Sequence, residues 1–355
     1  MVARIRSEPS LITSVSLLSA EQRVGPSLRA GPFFLYTALA YTDPMARELI
    51  VLGTASMLPT RHRAHNSYAL RWDNQLILFD PGEGAQRGCT LTGVSIAKAT
   101  AVCVTHFHGD HCLGLPGVIQ RRSFENAASP KESQPLPIFY PGDGQEYFDR
   151  LRHASIFHDT SNVEMRPVTE LGQQGTLGTI ELSAQPLVHR DTCYGYRLDE
   201  PGGVSVDSEL LAQFEIAGPD VGRLLAEGWL DTPAGRVTAD QITRPRRGQS
   251  MAFVMDTMPC EGALELARGV DMLVIESTYL HSEVELAEKY MHMTARQSAE
   301  LAAEAGVRRL VLTHFSARYP NNDVFAEQAR AFHDDVVAAD ELATISVPPR
   351  EEVAN

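Results

Sequence analysis

Apolar residues along this chain come in short runs that close on or beside a polar, chemically active residue, and the arrangement recurs over most of its length. ELIVLG (48–53), SYALRW (67–72) and QLILFD (75–80) are short and rich in branched or aromatic residues, with an Asp73-Asn74 turn between the last two. They predict strands, the second and third forming a hairpin. TAVCVTHF (100–107), the segment ending PLVH (186–189), MAFVMD (251–256), DMLVIE (271–276) and RRLVLTHF (308–315) follow the same plan. Stretches at roughly 114–124, 142–153, 261–268, 294–305 and 323–339 read as helices. Strands in series with helices outside them predict a layered α/β fold, sheets packed inside and helices on both faces. Between 200 and 248 the periodicity fades and Gly, Pro and charged residues dominate, which predicts an inserted arm. The body is expected over 47–347, with 348–355 as a tail and 1–46 as a poorly ordered extension. Met45, just before the first strand, is a candidate start of the natural chain.

Composition narrows the picture. A chain of 355 residues with 43% hydrophobic content has enough apolar surface for a substantial core. Its net charge of −14 argues against a general nucleic-acid coat, but leaves room for RNA held by a local basic patch. The five cysteines (Cys89, Cys103, Cys112, Cys193, Cys260) are odd in number and show no paired spacing, which predicts free thiols in a reducing compartment, hence a cytoplasmic location. No apolar run reaches the roughly 20 residues of a membrane helix. FFLYTALAY (33–41) is not expected to act as a signal peptide, because the basic start and the apolar run are far apart.

The chemistry is concentrated in His106-Phe107-His108-Gly109-Asp110-His111. In an extended chain, residues two apart point the same way, so His106 and His108 can reach one metal together. Gly109 permits a sharp turn that frees Asp110 and His111 to face a second metal nearby. Imidazole and carboxylate are ligands that zinc prefers, in sites that keep a position open for water. His189, Asp256 and His314 are each more ordinary alone, but all three end an apolar strand-like run, and strand ends on one sheet edge are where ligands converge in layered α/β folds. His62, His65, His153, His158, His281 and His333 lack that placement and read as surface or structural residues.

The succession GTASMLPT, DPGEGAQR, THFHGDH, a distant His189, MDT (255–257), EST (276–278) and LTHFSARY resembles bacterial ribonuclease Z, the tRNA 3′-processing endonuclease of the metallo-β-lactamase superfamily. The likeness runs from about Glu48 to Tyr319. It implies an αββα four-layer sandwich with an inserted tRNA-binding arm, and two zinc ions per subunit. One would be held by His106, His108 and His189, the other by Asp110, His111 and His314, with Asp256 bridging. The reaction it implies is a two-metal hydrolysis that leaves a 3′-hydroxyl on the tRNA and a 5′-phosphate on the trailer. Asp110 would be the proton acceptor, and His292, paired with Glu276, would assist the leaving oxygen. Precursor tRNA is the implied partner, and a homodimer the implied assembly.

Substrate contacts implied by the resemblance fall on Arg61 and Arg63 in the loop after the first strand, on Ser316, Arg318 and Tyr319, and on Gly218-Pro219 in the arm. Asp80 and the Gly82-Glu83-Gly84 turn read either as a buttress of the metal loop or as a plain tight turn. Two departures stand out. Ala64 occupies a position where the family has asparagine, and the arm lacks the family's lysine-rich stretch: Arg223, Arg236, Arg244, Arg246 and Arg247 are opposed by Asp220, Glu227, Asp231 and Asp240. An alternative therefore stays open, a phosphodiesterase of small substrates on the same metal site.

Overall fold

The structure, a computed structural model, describes residues 47–128, 134–233 and 235–350. The expected extension at 1–46, the apolar run within it and the end of the tail lie outside the described residues. The first half of the chain builds β1 (Arg47–Gly53), β2 (Ser67–Trp72), β3 (Gln75–Phe79), α1 (Ala85–Thr92), β4 (Ala101–Cys103), α2 (Gly109–Cys112), α3 (Leu115–Ala128), β5 (Leu136–Pro141), α4 (Gln145–Arg152) and β6 (Val163–Val168). β7 (Gly172–Leu177), β8 (Ile180–Leu187) and β9 (Cys193–Asp199) begin a second sheet. The chain then leaves it for β10 (Gly203–Val206), α5 (Ser208–Gln213), α6 (Pro219–Glu227), β11 (Trp229–Thr232), β12 (Gly235–Thr238), α7 (Ala239–Ile242) and β13 (Thr243–Arg246). It returns as β14 (Ser250–Val254), α8 (Glu261–Ala267), β15 (Met272–Glu276), α9 (Val284–Tyr290), α10 (Ala295–Glu304), β16 (Arg309–Thr313), α11 (Asp323–Ala329) and β17 (Val336–Ala338). Finally β18 (Thr344–Ser346) crosses back to pair with β1.

Two seven-stranded sheets result, in the orders β18-β1-β2-β3-β4-β5-β6 and β17-β16-β15-β14-β9-β8-β7. Their strands read as nearly continuous apolar runs because both faces are covered. With side chains alternating across each strand, Leu49, Tyr68, Trp72 and Phe79 of the first sheet meet Tyr196, Phe253, Val274 and Val311 of the second in one shared core. Phe79 and Phe253 stack with ring centroids 4.6 Å apart. Phe253 is 1% exposed, and its truncation to alanine would cost roughly 3–5 kcal/mol. The alternate residues face outward: Ile50, Leu78 and Val102 pack with Val118 and Ile119 of α3, while Val254, Leu273 and Ile275 pack with Leu266 of α8 and Ala299 of α10. The layers run helix, sheet, sheet, helix. This is the αββα four-layer order that the sequence resemblance implied.

Two elements differ from the sequence reading. The strand expected over 100–107 pairs only across Ala101–Cys103, and the chain is off the sheet by His106; His106 and His108 enter one cluster while Phe107 between them packs against Tyr140. The helix expected over 323–339 stops at Ala329, and Val336–Ala338 forms an edge strand parallel to β16. Adjacent β-branched valines favour the extended chain there, and the pairing supplies the hydrogen bonds that a longer helix would have made.

The segment between β9 and β14 has its own small core of Ile216, Leu224, Leu230, Val237 and Ile242. Two two-stranded sheets, β10 with β13 and β11 with β12, frame it. At its root Glu200 accepts hydrogen bonds from Arg47, Arg246 and Arg350 and from the backbone of Gln249.

Candidate metal centre

The site lies where strands of both sheets end. His106 and His108 follow β4, Asp110 and His111 sit in the single turn of α2, His189 follows β8, Asp256 follows β14, Glu276 closes β15, and His314 follows β16 directly. Parallel β14, β15 and β16 bring three of these ends side by side. Asp80, Asp256 and His314 adopt positive φ (42°, 51° and 60°), a conformation uncommon for residues with a Cβ. Each lies just past a strand; Asp256 and His314 turn their side chains into the cluster and Asp80 turns its carboxylate to the back of His111, and strained backbone of this kind gathers at functional sites. Gly82 and Gly114 let the Asp80–Gly84 turn press against the metal loop: a Cβ on Gly82 would lie 2.1 Å from the Asp110 carbonyl oxygen, and one on Gly114 would lie 2.1 Å from that of Gly82.

Two overlapping groups of ligand atoms converge, each within 4.8 Å of one another: His106, His108, His189 and Asp256, and Asp110, His111, Asp256 and His314. Asp256 belongs to both. Its Oδ1 lies 3.3 Å from His111 Nε2 and 3.1 Å from His314 Nε2, while its Oδ2 lies 3.5 Å from His106 Nε2 and 3.9 Å from His189 Nε2. Asp110 Oδ2 is 3.3 Å from His111 Nε2 and 3.4 Å from His314 Nε2. His106 Nε2, His111 Nε2, His314 Nε2 and Asp256 Oδ1 are buried without any hydrogen-bond partner. An unpaired buried polar atom costs about 1–3 kcal/mol, so four such atoms facing one point form a cluster fitted to cations. The donor set of imidazoles and carboxylates suits divalent metals of the zinc class.

The nitrogens that face away from the cluster are held. His106 Nδ1 meets the Thr105 hydroxyl at 3.0 Å, His111 Nδ1 the Asp80 carboxylate at 2.8 Å, His189 Nδ1 the Met291 carbonyl at 3.2 Å, and His314 Nδ1 the Thr278 hydroxyl at 2.8 Å. Asp80 also accepts from the Thr105 backbone at 2.7 Å and from its hydroxyl at 2.8 Å. Such partners fix which nitrogen is offered and how the ring is turned. Thr105 and Thr278 lie within the THFHGDH and EST segments, but neither has a role of its own in the sequence reading.

Glu276 is fully buried and accepts from the backbone of Thr257 (2.6 Å) and Met293 (3.1 Å), from the Thr278 hydroxyl (2.7 Å) and from His292 Nδ1 (2.9 Å). Burial disfavours charge on His292, but the Glu276 carboxylate, by its charge and its hydrogen bond, holds the imidazole up at about 9. Burial also opposes charge on Asp256, yet the surrounding imidazoles keep it well below the usual carboxylate range.

A cavity of about 580 Å³ opens over the cluster, its rim formed by Met57, Leu58, Tyr279, Tyr290, Ser316 and Arg318. Arg318 is paired with Glu283, which also accepts from the Tyr319 hydroxyl. Arg61 and Arg63 line a separate hollow beside Glu83, Arg87 and Glu341. Arg63 is only 7% exposed and donates to the Tyr319 carbonyl. Gly218, at φ 59°, precedes α6, and Pro219 opens it.

The profile of the metallo-beta-lactamase superfamily matches residues 60–194, and that of a beta-lactamase superfamily domain matches residues 228–315. A ribonuclease Z of Salinispora arenicola is 51% identical over 305 residues, covering 86% of this chain and 97% of that protein. One of Nocardia farcinica is 48% identical over 306 residues, covering 86% and 99%. Among solved structures, the short form of human tRNase Z superposes with a TM-score of 0.60 at 21% identity, covering 85% of this chain and all (100%) of that one, a likeness of fold. Identity of this extent, together with the gathered His/Asp clusters, establishes that the chain belongs to the ribonuclease Z family of the metallo-β-lactamase superfamily.

Proposed function

We propose that this protein is a divalent-metal-dependent endoribonuclease that removes the 3′ trailer from precursor tRNA. The observation that carries the reading is the set of unpartnered, buried ligand atoms beneath one open cavity, in a chain so similar to ribonuclease Z enzymes. His106, His108 and His189 would hold one zinc ion, Asp110, His111 and His314 a second, and Asp256 both. When bound, the pair supplies Lewis acidity to the scissile phosphate and a water-derived nucleophile at neutral pH.

The chain's own residues account for the proton movements. Asp110 sits at the cavity wall and accepts the proton of the attacking water. The new P–O bond forms as the bond from phosphorus to the tRNA 3′-oxygen breaks, and His292 gives that departing oxygen its proton. The products are a tRNA with a 3′-hydroxyl and a trailer with a 5′-phosphate. Glu276 has no exposed surface and acts through His292, fixing its ring; it is a positioning residue. Ser316 and Arg318, on the cavity rim, would meet the phosphate or the acceptor end, while Arg61 and Gly218-Pro219 are the more remote contacts. Arg63, being buried, would support the loop rather than touch RNA.

A homodimer in the cytoplasm completes the reading. Its support is the family membership and the five free cysteines; among the described residues no helix is long and apolar enough to cross a membrane. Equilibrium sedimentation at twice the chain mass is the expected result.

A second reading, hydrolysis of small phosphodiesters on the same centre, is favoured by one observation: the arm's arginines are engaged within the protein. Arg223 pairs with Asp220, Arg236 with Asp231, Arg244 with Asp207 and Arg246 with Glu200, and Arg247 donates to the Gly269 carbonyl. Incubating the zinc-loaded protein with a precursor tRNA lacking an encoded CCA separates the two. A single cut after the discriminator base is expected; intact RNA beside rapid hydrolysis of a nitrophenyl phosphodiester would overturn the first reading in favour of the second.

A further inference from the structure

One ligand of the cluster is built differently from the rest. His106, His111, His189 and His314 all turn Nε2 inward and have Nδ1 held from behind by groups that are buried or part of the backbone. His108 is reversed. Its Nδ1 faces the cluster, 3.3 Å from His189 Nε2, and its Nε2 points outward. It is also the exposed one: its side chain is 39% accessible, against 0–3% for the other four imidazoles. A ring so placed has little packing to fix its rotation or its tautomer, and neutral imidazole must carry its proton on Nε2 if Nδ1 is to offer a lone pair.

Among the described residues, one group meets the Nε2 atom. Asp191 Oδ2 lies 2.8 Å from His108 Nε2. We infer that Asp191 is a positioning residue for the metal centre, holding His108 in the tautomer and rotation that present Nδ1 to the ion shared with His106 and His189. The inference rests on the metal reading above and adds a residue to it.

The loop that carries Asp191 is anchored on both sides, so the carboxylate is delivered rather than adventitious. Val188 donates its N–H to the Thr257 hydroxyl at 3.0 Å, and its carbonyl accepts from Met258 N–H at 3.0 Å. Beyond Asp191, the Thr192 hydroxyl donates to Asp143 at 2.5 Å and Tyr194 N–H to the Thr105 carbonyl at 3.0 Å. One short loop thus offers a ligand, His189, and two residues later the carboxylate that orients a different ligand. Asp80 plays the corresponding part for His111 from a fully buried position. Asp191, 64% accessible at its side chain, does so from the solvent side, which makes the His106–His108–His189 group the half of the centre whose hold on metal depends on an exposed hydrogen bond.

The test is zinc affinity measured by competition with a chromophoric chelator on the full-length wild type, Asp191→Asn and Asp191→Ala, with the visible spectrum of the cobalt-substituted proteins alongside. Loss of a carboxylate behind a ligating histidine typically weakens metal affinity by about 10–100-fold. The expected result is a loss of that size for one of two ions in Asp191→Ala, a smaller loss in Asp191→Asn, which keeps a neutral acceptor, and an altered cobalt spectrum for the same ion. Asp191 is exposed, so melting of the metal-free proteins should coincide and shows that all three fold alike. Two ions held as tightly in Asp191→Ala as in wild type, with an unchanged spectrum, would overturn the inference alone. A wild type that binds no zinc or cobalt would instead overturn the metal reading, and the inference with it.

Discussion

The floor of the metal cavity and the inserted arm are built by opposite means. In the floor, the carboxylates of Asp80, Asp110, Asp256 and Glu276 and the imidazoles of His106, His111 and His314 are buried at no more than 7% exposure, several with atoms left deliberately unpaired. In the arm, five apolar residues make a thin core, and the charged groups sit on the surface satisfying one another. Exposed pairs of that kind are worth about 0–1 kcal/mol and are easily exchanged for other partners, whereas each buried ligand atom left unpaired costs about 1–3 kcal/mol until a proton or a metal ion satisfies it. The floor is committed to one chemistry. An RNA backbone recruits Arg223, Arg236 and Arg244 only in competition with the aspartates they now pair with, and Arg246 in competition with Glu200.

The sharpest way to break that contrast is at the shared ligand. Asp256→Ala removes the carboxylate that spans both groups, and is expected to abolish metal retention and reduce hydrolysis of both precursor tRNA and a nitrophenyl phosphodiester by roughly 10³-fold or more, read by metal analysis and initial rates. Retained metal with normal rates would show that the floor is not what it is taken to be. Next in size is His292→Ala: if His292 moves a proton as proposed, kcat on precursor tRNA should fall by about 10²–10⁴-fold while metal content stays at the wild-type level. Parallel loss of metal would make it a ligand instead, completing the third group formed by Glu276, His292 and His314.

Replacing residues 203–246 by a short linker tests the other side of the contrast. Binding of precursor tRNA should weaken by about 10–100-fold, with a shallower salt dependence, and the small diester should be cleaved as before. Equal loss on both substrates would mean that the arm supports the centre rather than the substrate. The smallest effect belongs to the rim of the body. Burial pushes the Glu341 carboxyl up to about 7 from 4.5, against hydrogen bonds from Ala64 and Thr54. The folded protein therefore holds a proton that the unfolded chain releases, and stability falls as pH rises from about 4.5 through about 7. Glu341→Gln should flatten that part of the Tm profile; an identical profile would remove Glu341 from the account.

Most of the sandwich and the floor could be read from the chain because both follow from periodicity. Apolar runs buried on two faces are strands in a covered sheet, and the polar residue at the end of such a run is carried to a common edge, which is why His189, Asp256 and His314 are legible as ligands; His106 to His111 are legible from their own spacing, and Glu276 and His292 through the family resemblance. What escaped the sequence had no periodic signature. α1 begins after Gly84 and contains Gly88, so its pattern is weak, and Val336–Ala338 is a strand only because β16 offers an edge. The tertiary partners of the ligands (Thr105, Thr278, the Met291 carbonyl and Asp191) depend on loops meeting, and a single chain cannot announce which loop its neighbour will be. The arginines show the same limit: Arg63 and Arg61 are two residues apart in a loop, yet one is buried against Tyr319 and the other exposed.

The most direct measurement is an anomalous difference map, recorded at the zinc absorption edge, from crystals of the protein grown with zinc. Two peaks are predicted, one among His106, His108 and His189 and one among Asp110, His111 and His314, with Asp256 between them. A featureless map at that cluster, or density for zinc only elsewhere on the molecule, would contradict the account.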